Sequence, residues 1–149
     1  GPRSMSHSVQ DLFELEKNLG MQSLNYYLGY QRRVNEVKNQ ALDFLLNARK
    51  EGKSVIAYGA AAKGNTFINY CGIRSDLVEY VVDASPHKIG RLLPGSRLPV
   101  VAEEKILQTK PDYVLILPWN LQEEIADQLR YIRDWGGSFV VAIPQVRVY

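Results

Sequence analysis

The chain has 149 residues, a formal net charge of +2 and 46% hydrophobic residues. This length predicts one domain that buries a core without covalent cross-links. The weak net charge gives no reason to expect a nucleic-acid partner. No apolar run approaches the roughly 18 residues of a membrane span, so we expect no membrane insertion. Because Cys71 is the single cysteine, an internal disulfide is excluded and a cytoplasmic location is expected.

The N-terminal third of the chain is predicted to be helical. Residues 1–4, with the sequence GPRS, are typical of the scar left by a cleaved tag and are excluded from fold reasoning. Residues 5–52 are predicted to form an irregular or short helical lead-in, then a long helix that begins near Ser23 and ends at Gly52. Its apolar residues recur every three or four positions, which is typical of a buried stripe. They are Val34, Val37, Ala41, Phe44, Leu45 and Ala48.

After residue 52 the pattern changes to short apolar runs that alternate with helical segments. Runs this apolar are typical of strands covered on both faces. The predicted strands are residues 55–58, 77–83, 98–101, 113–117 and 139–143, and the predicted helices are 62–71, 102–108 and 121–135. This alternation predicts an α/β fold. We expect residues 53–149 to form a Rossmann-like, three-layer domain with a mostly parallel sheet of about five strands.

A glycine turn, defined as residues 59–64 with the sequence GAAAKG, follows the first predicted strand and opens a helix. It has the spacing of the dinucleotide fingerprint G-x-G-x-x-G, except that Ala61 replaces the middle glycine and narrows the room for a pyrophosphate. Amide groups at the helix N-terminus attract anions, and Lys63 adds a positive charge beside them. The candidate ligand contacts here are Gly59, Ala60, Ala61, Lys63, Gly64 and Asn65.

Asp83 follows the second predicted strand, 24 residues after Gly59. An acidic residue near that offset bonds a ribose hydroxyl in dinucleotide-binding domains. The alternative is a turn kept only for helix packing, with Asp83 capping the next loop. The two roles differ measurably: the Asp83→Asn change leaves the melting temperature nearly unchanged in the first and lowers it in the second.

A basic loop, defined as residues 84–97, contains Lys88, Arg91 and Arg97 but no acidic residue. Its prolines and glycines predict an irregular segment. It leaves the sheet at the edge where ligands of open α/β sheets bind. Lys88 and Arg91 are therefore candidate phosphate contacts. The alternative is a solvated loop shaped by its prolines and glycines.

Trp119 and Asn120 follow the fourth predicted strand. If the strand order is 3-2-1-4-5, their turn faces the glycine turn across the switch point of the sheet. Trp119 would then stack on a base or sugar, and Asn120 would bond a hydroxyl. The alternatives are a core or interface position for Trp119 and a capping box of Asn120 with Glu123.

The sequence offers no metal set and no nucleophile paired with a base. His7, Cys71 and His87 are scattered along the chain. We therefore expect no metal site and assign no catalytic residue.

Several motifs, in order, resemble the C-terminal domain of S-adenosylmethionine-dependent sugar C-methyltransferases. They are YGAAAKGNT at 58–66, NYCGI at 69–73, VDASP at 82–86, PDYVLILPWN at 111–120 and WGG at 135–137. The resemblance covers residues 55–149, and the lead-in helix also fits. One departure is Ala61, a position at which proline is common in this family.

The resemblance implies a nucleotide-sugar-binding domain that faces an upstream methyltransferase domain. Enzymes of this kind methylate a carbon of a nucleotide-linked deoxysugar, and they carry a zinc-binding N-terminal domain and a central methyltransferase domain. Neither is in this sequence, so S-adenosylmethionine is expected only in the full-length enzyme, and the chain alone is expected to be inactive. Two alternatives stay open: a stand-alone NAD(P)-type nucleotide-binding or oxidoreductase domain, and a structural or interaction domain.

Overall fold

A computed structural model describes residues 7–149, so the predicted tag scar lies outside the described residues. The chain divides into two compact units, the first ending at Glu36 and the second comprising Val37–Tyr149. Three helices form the N-terminal part: α1 (His7–Asn18), α2 (Leu24–Leu28) and α3 (Tyr30–Lys50), the last of which continues into the second unit. The helix predicted from Ser23 onward is therefore interrupted at Gly29, the residue type with the lowest helix propensity apart from proline.

The C-terminal end of α3 has the expected glycine stop. Gly52 has a left-handed φ of +71°, which glycine adopts without steric cost. The N–H of Lys53 then donates to the carbonyl of Ala48 at 2.9 Å, which satisfies a carbonyl that the helix leaves free. The chain is thereby turned directly into the first strand.

The second unit contains a six-stranded sheet in the order β3-β2-β1-β4-β5-β6. The strands are β1 (Val55–Tyr58), β2 (Val81–Val82), β3 (Val100–Val101), β4 (Tyr113–Ile116), β5 (Ser138–Val141) and β6 (Arg147–Val148). The first five are parallel and β6 is antiparallel to β5. The prediction of an α/β fold with a mostly parallel sheet is confirmed. The sixth strand was not predicted, because its two residues are exposed and form no apolar run.

Helices connect the parallel strands and cover both faces of the sheet. They are α4 (Ala62–Cys71), α5 (Glu104–Thr109) and α6 (Gln122–Gln128), with 3-10 turns at Trp119–Leu121 and Arg130–Trp135. The predicted helix 62–71 is confirmed at both ends, whereas the predicted helix 121–135 is split at Leu129.

The core forms two apolar layers, because successive strand residues point to opposite faces. One layer joins the sheet to α3 and α4, and the other joins it to α5, α6 and the second 3-10 turn. In β1, Val55 and Ala57 face the first layer, while Ile56 and Tyr58 face the second. Among residues 7–149, the helices lack the combination of length and hydropathy that crossing a membrane requires.

Asp112 joins the starts of β1 and β4 at the amino edge of the sheet. Its Oδ2 accepts hydrogen bonds from the N–H and the hydroxyl of Ser54 at 2.9 and 3.0 Å, and its Oδ1 accepts one from Lys53 at 2.9 Å. Partial burial alone would raise the pKa of Asp112, but the bonds from Lys53 and Ser54 outweigh it and lower that pKa. One carboxylate thus fixes the register between two central strands.

We expect Asp112→Ala to lower the free energy of unfolding by about 1–2 kcal/mol, because the Ser54 donors lose their acceptor. The solvent-exposed Lys53 pair should add little. Urea unfolding at neutral pH measures the change. Asp43→Ala, at an exposed position of α3, is the control and should change the stability by less than about 0.5 kcal/mol. Equal effects of the two substitutions would show that Asp112 does not have this role.

Candidate ligand-binding edge

The glycine turn (residues 59–64) joins β1 to α4 at the carboxyl edge of the sheet. Gly59 has a φ of +94°, and a Cβ at this position would lie 2.5 Å from Cδ of Pro118. Its N–H donates to the carbonyl of Val82 at 2.7 Å, which fixes the turn to the end of β2. Backbone conformation and close packing therefore both require glycine here.

The last glycine of the turn has the packing role that the fingerprint predicts. A Cβ on Gly64 would lie 2.7 Å from Cβ of Leu117, so its absence lets α4 approach the end of β4. Ala61 is the N-cap residue of α4, with an extended φ of −106° and no side-chain capping bond. The first N–H groups of α4 are thus left without a side-chain cap, as an anion site at a helix N-terminus requires.

Asp83 is buried, with 9% of its surface exposed, and accepts hydrogen bonds from three residues in two segments. Its Oδ2 accepts from the N–H of Ala60 at 2.8 Å and from Nζ of Lys88 at 3.0 Å, while its Oδ1 accepts from the N–H of Ser85 at 2.9 Å. Burial alone would raise the pKa of Asp83, but the bonds from Ser85, Lys88 and Ala60 outweigh it and lower that pKa. A negative charge is therefore held between the glycine turn and the basic loop.

These contacts bear on the two roles considered for Asp83. The hydrogen bond from the N–H of Ser85 caps the loop that follows Asp83, so the structure contains the capping contact of the alternative role. A ribose contact stays a prediction. It would use Oδ1, which accepts a single protein hydrogen bond and keeps a second lone pair.

Lys63 joins the glycine turn to the turn after β4. Its Nζ donates to Oδ1 of Asn120 and lies 4.8 Å from the centroid of the Trp119 ring, within the range of a cation–π contact. The sheet has the predicted order 3-2-1-4-5 for its first five strands, with β1 beside β4. The turns that follow β1 and β4 therefore face each other. Lys63, Trp119 and Asn120 form one cluster across this boundary.

The structure rejects the capping role considered for Asn120 and supports the core position considered for Trp119. The N-cap of α6 is Leu121, without a side-chain capping bond, so the capping box of Asn120 with Glu123 was wrong. It fails because a 3-10 turn occupies Trp119–Leu121 before α6 begins. Trp119 is half-buried and packs against the apolar layer on the α6 side of the sheet. The tryptophan therefore has a core contact as well as its contact with Lys63.

The basic loop (residues 84–97) is held close to α4. Nδ2 of Asn69 donates to the carbonyl of Pro94 at 2.9 Å and to the carbonyl of Asn65 at 2.9 Å. Gly95 has a φ of +80°, and a Cβ there would clash with the Asn69 side chain. Asn69 thus links the loop to the helix that follows the glycine turn.

The cations of the basic loop differ in how they are engaged. Lys88 forms the ion pair with Asp83, although 44% of its side chain is exposed. The exposed side chains of Arg91 and Arg97 form no hydrogen bond or ion pair with any residue in the described range 7–149. Arg97 also has a left-handed φ of 60°, a conformation that side chains other than glycine adopt at a cost. The loop therefore presents two arginines to solvent.

A second polar cluster, which the sequence did not reveal, lies beside the carboxyl ends of β1 and β3. Nε2 of Gln128 donates to the hydroxyl of Tyr58 at 3.0 Å and to Oε2 of Glu103 at 2.6 Å. The hydroxyl of Tyr131 donates to Oε1 of Glu103 at 3.2 Å. Burial and the Glu103 charge raise the pKa of Tyr131. The only sequence signal was the position of Glu103 just after a strand.

No group of three or more potential metal ligands is found within residues 7–149. The fold and the edge define an α/β domain in which a glycine turn, a buried carboxylate and a basic loop meet at the carboxyl edge of a parallel sheet. The chain belongs to the C-methyltransferase C-terminal domain family, whose model matches residues 1–144.

One relative is the C-methyltransferase NovU of Streptomyces niveus, which is 31% identical to this chain over 151 residues. The alignment covers 99% of this chain and 36% of the relative. The chain therefore spans about a third of that protein, and it corresponds to one part of a larger methyltransferase.

The structure predicts that Asp83→Asn lowers the melting temperature, because the change weakens contacts to three residues in the glycine turn and the basic loop. A loss of about 1–3 kcal/mol corresponds to roughly 2–4 °C per kcal/mol in a domain of this size. Since the pKa of Asp83 is lowered in the folded protein, the wild type should be more stable than Asp83→Asn by the full amount above the ordinary aspartate pKa of about 3.9. This difference should disappear as the pH falls through the folded pKa. Thermal unfolding from pH 7 to pH 3 measures both effects.

Asp127→Asn, at an exposed position on α6, is the matched control and should change neither quantity. An unchanged melting temperature for Asp83→Asn would contradict the bridging role and favour a carboxylate kept for a ligand.

Proposed function

We propose that this chain is the nucleotide-sugar-binding domain of an S-adenosylmethionine-dependent sugar C-methyltransferase, with a Rossmann-like fold and a cytoplasmic location. The observation that supports it most directly is the convergence of three segments at one edge. Asp83 bonds the glycine turn and the basic loop, and Lys63 bonds the turn after β4. Ligands of parallel α/β sheets bind in this crevice, where the strand order reverses.

The charges at this edge suit a diphosphate. The uncapped N-terminus of α4 offers backbone donors and the positive end of the helix dipole. Lys63 lies in the first turn of that helix, and the Arg91 side chain extends from the neighbouring loop without a hydrogen bond or ion pair to residues 7–149. Guanidinium and ammonium groups bind phosphate oxygens through charge-assisted hydrogen bonds.

Ala61 determines how a diphosphate would be held. A middle glycine allows the backbone to approach a pyrophosphate closely, whereas the Ala61 methyl group keeps the ligand further from the turn. The diphosphate would then depend more on the side chains of Lys63 and Arg91 than on backbone contact. Trp119 would stack on the base or sugar, and Asn120 would bond a hydroxyl. The nucleotide-linked deoxysugar would lie between this edge and an upstream methyltransferase domain that holds S-adenosylmethionine.

One observation favours a structural or interaction role instead. Asp83 and Lys63, which are the proposed ribose and phosphate contacts, already bond within the protein. A domain without a ligand would keep these contacts for its own stability. An NAD(P)-type domain is the third candidate, supported by the strand order and by Asp83 after β2. Ligand affinity separates the three, because the structural domain binds no nucleotide and the NAD(P)-type domain prefers a dinucleotide.

We expect the isolated chain to transfer no methyl group. It spans 36% of the relative that is a C-methyltransferase, and no residue here is assigned to methyl transfer. Incubation with radiolabelled S-adenosylmethionine and keto-deoxysugar nucleotides should leave the sugar unlabelled. The positive control is the full-length relative under the same conditions. Label in the sugar above background would show that this chain carries the chemistry itself.

We expect UDP and dTDP to bind at the edge, and Lys63→Ala and Arg91→Ala to weaken that binding about tenfold each, since each removes a charged phosphate contact. The losses should shrink at high salt, because phosphate attraction is screened. Calorimetry at low and high salt measures the affinity. Amide chemical shifts should locate the ligand at the glycine turn.

Lys50→Ala removes the same charge from an exposed residue at the end of α3 and should bind nucleotide normally. Normal binding by both edge variants, or shifts confined to another face, would contradict the proposed site. Tighter binding of NAD than of UDP would favour the NAD(P)-type alternative.

A further inference from the structure

Helix α1 has an apolar stripe that is exposed in the described part of the chain, residues 7–149. We name it the α1 stripe. It consists of Val9, Leu12, Phe13 and Leu15, which lie on one side of α1, and of Leu19, the first residue after the helix. These side chains are 40–54% exposed, and no residue of α1 is buried. The opposite side of the helix carries Gln10, Asp11, Glu14, Lys17 and Asn18, and Glu16 is the one charged residue of α1 on the stripe side, one turn after Leu12. A helix with this division normally packs its apolar side against another surface.

The α1 stripe carries an energetic cost when it is left in water. A helix of 12 residues is only marginally stable by itself, because its formation is cooperative and its nucleus is unfavourable. Helix α2 buries no residue either, and its Leu24 and Leu28 are 73% and 67% exposed. Contiguous apolar surface of this kind marks an interaction site in soluble proteins.

The comparisons show what accompanies a domain of this kind in a larger protein. The family model begins at residue 1 and ends at residue 144, so the helical unit is part of the family's domain. The NovU alignment covers nearly all of this chain, yet 36% of the relative. In that relative, the surroundings of this domain are therefore the rest of a methyltransferase.

We propose that the α1 stripe docks on an apolar groove of the methyltransferase part of the enzyme. This inference rests on the proposed function, because it requires that the chain works beside a methyltransferase domain. It assigns the N-terminal unit to domain association and leaves the sheet edge to the ligand. Charge argues against a lipid surface, since Asp11, Glu14 and Glu16 outnumber Lys17 on this helix and anionic membranes attract basic helices.

The size of the stripe suits an interface between linked domains. Tethering makes association intramolecular, with an effective concentration on the order of millimolar. A single amphipathic helix in a groove, anchored by residues at three- and four-residue spacing, is then sufficient. The test should therefore keep the two parts in one chain.

The experiment joins this chain to the methyltransferase part of NovU, replacing the aligned segment of that protein. Hydrogen exchange of the α1 amides is measured in the fusion and in the free chain. We expect exchange in the fusion to slow by about tenfold or more, since docking suppresses local opening. Leu12→Glu and Phe13→Glu should abolish this protection. They should leave the thermal unfolding of the free chain unchanged, because both positions are exposed.

Asp11→Lys, on the polar side of α1, is the matched control and should keep the protection. Binding of S-adenosylmethionine by the fusion verifies that its methyltransferase part is folded. If the fusion fails to bind it, exchange at the aligned helix is compared between full-length NovU and its isolated aligned segment. Slower exchange in the full-length protein that a glutamate at the position aligned with Leu12 removes then supports the docking, and equal exchange counts against it.

Three results would overturn the inference. The first is α1 exchange that is equal in the free chain and in a fusion that binds S-adenosylmethionine. The second is a free chain that dimerises through the stripe, seen as an association by light scattering that Leu12→Glu abolishes. The third is binding of α1 to anionic vesicles. UDP binding at the sheet edge, measured in the same variants, separates this test from that of the proposed function, because stripe variants should bind UDP normally.

Discussion

The carboxyl edge of the sheet depends on the buried carboxylate of Asp83. A charge with 9% of its residue surface exposed is tolerated only where donors replace the water it has lost. Here the donors are three residues from two different segments: Ala60 in the glycine turn, and Ser85 and Lys88 in the basic loop. Because each donor stabilises the same charge, a displacement of one segment weakens the contacts of the other. The positions of the turn and the loop are therefore coupled through one residue, and a ligand bound by one would influence the other.

Glycines set the distance between the two sides of the crevice. Gly59 and Gly64 lie so close to Pro118 and Leu117 that neither position has room for a Cβ. The turn after β4 is thereby brought near enough for Lys63 to reach Asn120 and the Trp119 ring. A ligand phosphate would have to draw the Lys63 ammonium away from these partners, so its net gain is the difference between two charge-assisted interactions. Because Lys63 already has partners within the protein, its position is equally consistent with a domain that binds no ligand.

Much of the fold could be predicted because its signals are local. The buried strands are continuous apolar runs, and α4 begins within the glycine turn and is capped by Gly72, which has a left-handed φ of +75°. The prediction failed where local signals were weak, as in the exposed strand β6, or where they competed, as at the 3-10 turn that displaced the Asn120 cap. The position of the turn with Trp119 and Asn120 opposite the glycine turn could be predicted from the expected strand order, without any local signal. The cluster of Tyr58, Glu103 and Gln128 could not be predicted, because its hydrogen bonds join residues 70 and 25 positions apart.

Water satisfies the polar surface of this chain at the sheet edge but not its apolar surface on α1. At the sheet edge, buried polar side-chain atoms of the described residues all have hydrogen-bond partners, and the exposed arginines are solvated. The edge is therefore stable without a ligand. An apolar side chain cannot be satisfied by water in this way, because its stabilisation comes only from the area that contact removes from solvent. The α1 stripe is consequently a surface whose free energy falls when another protein covers it. In the proposed arrangement the N-terminal helices supply the association energy, and the sheet edge is left to the ligand.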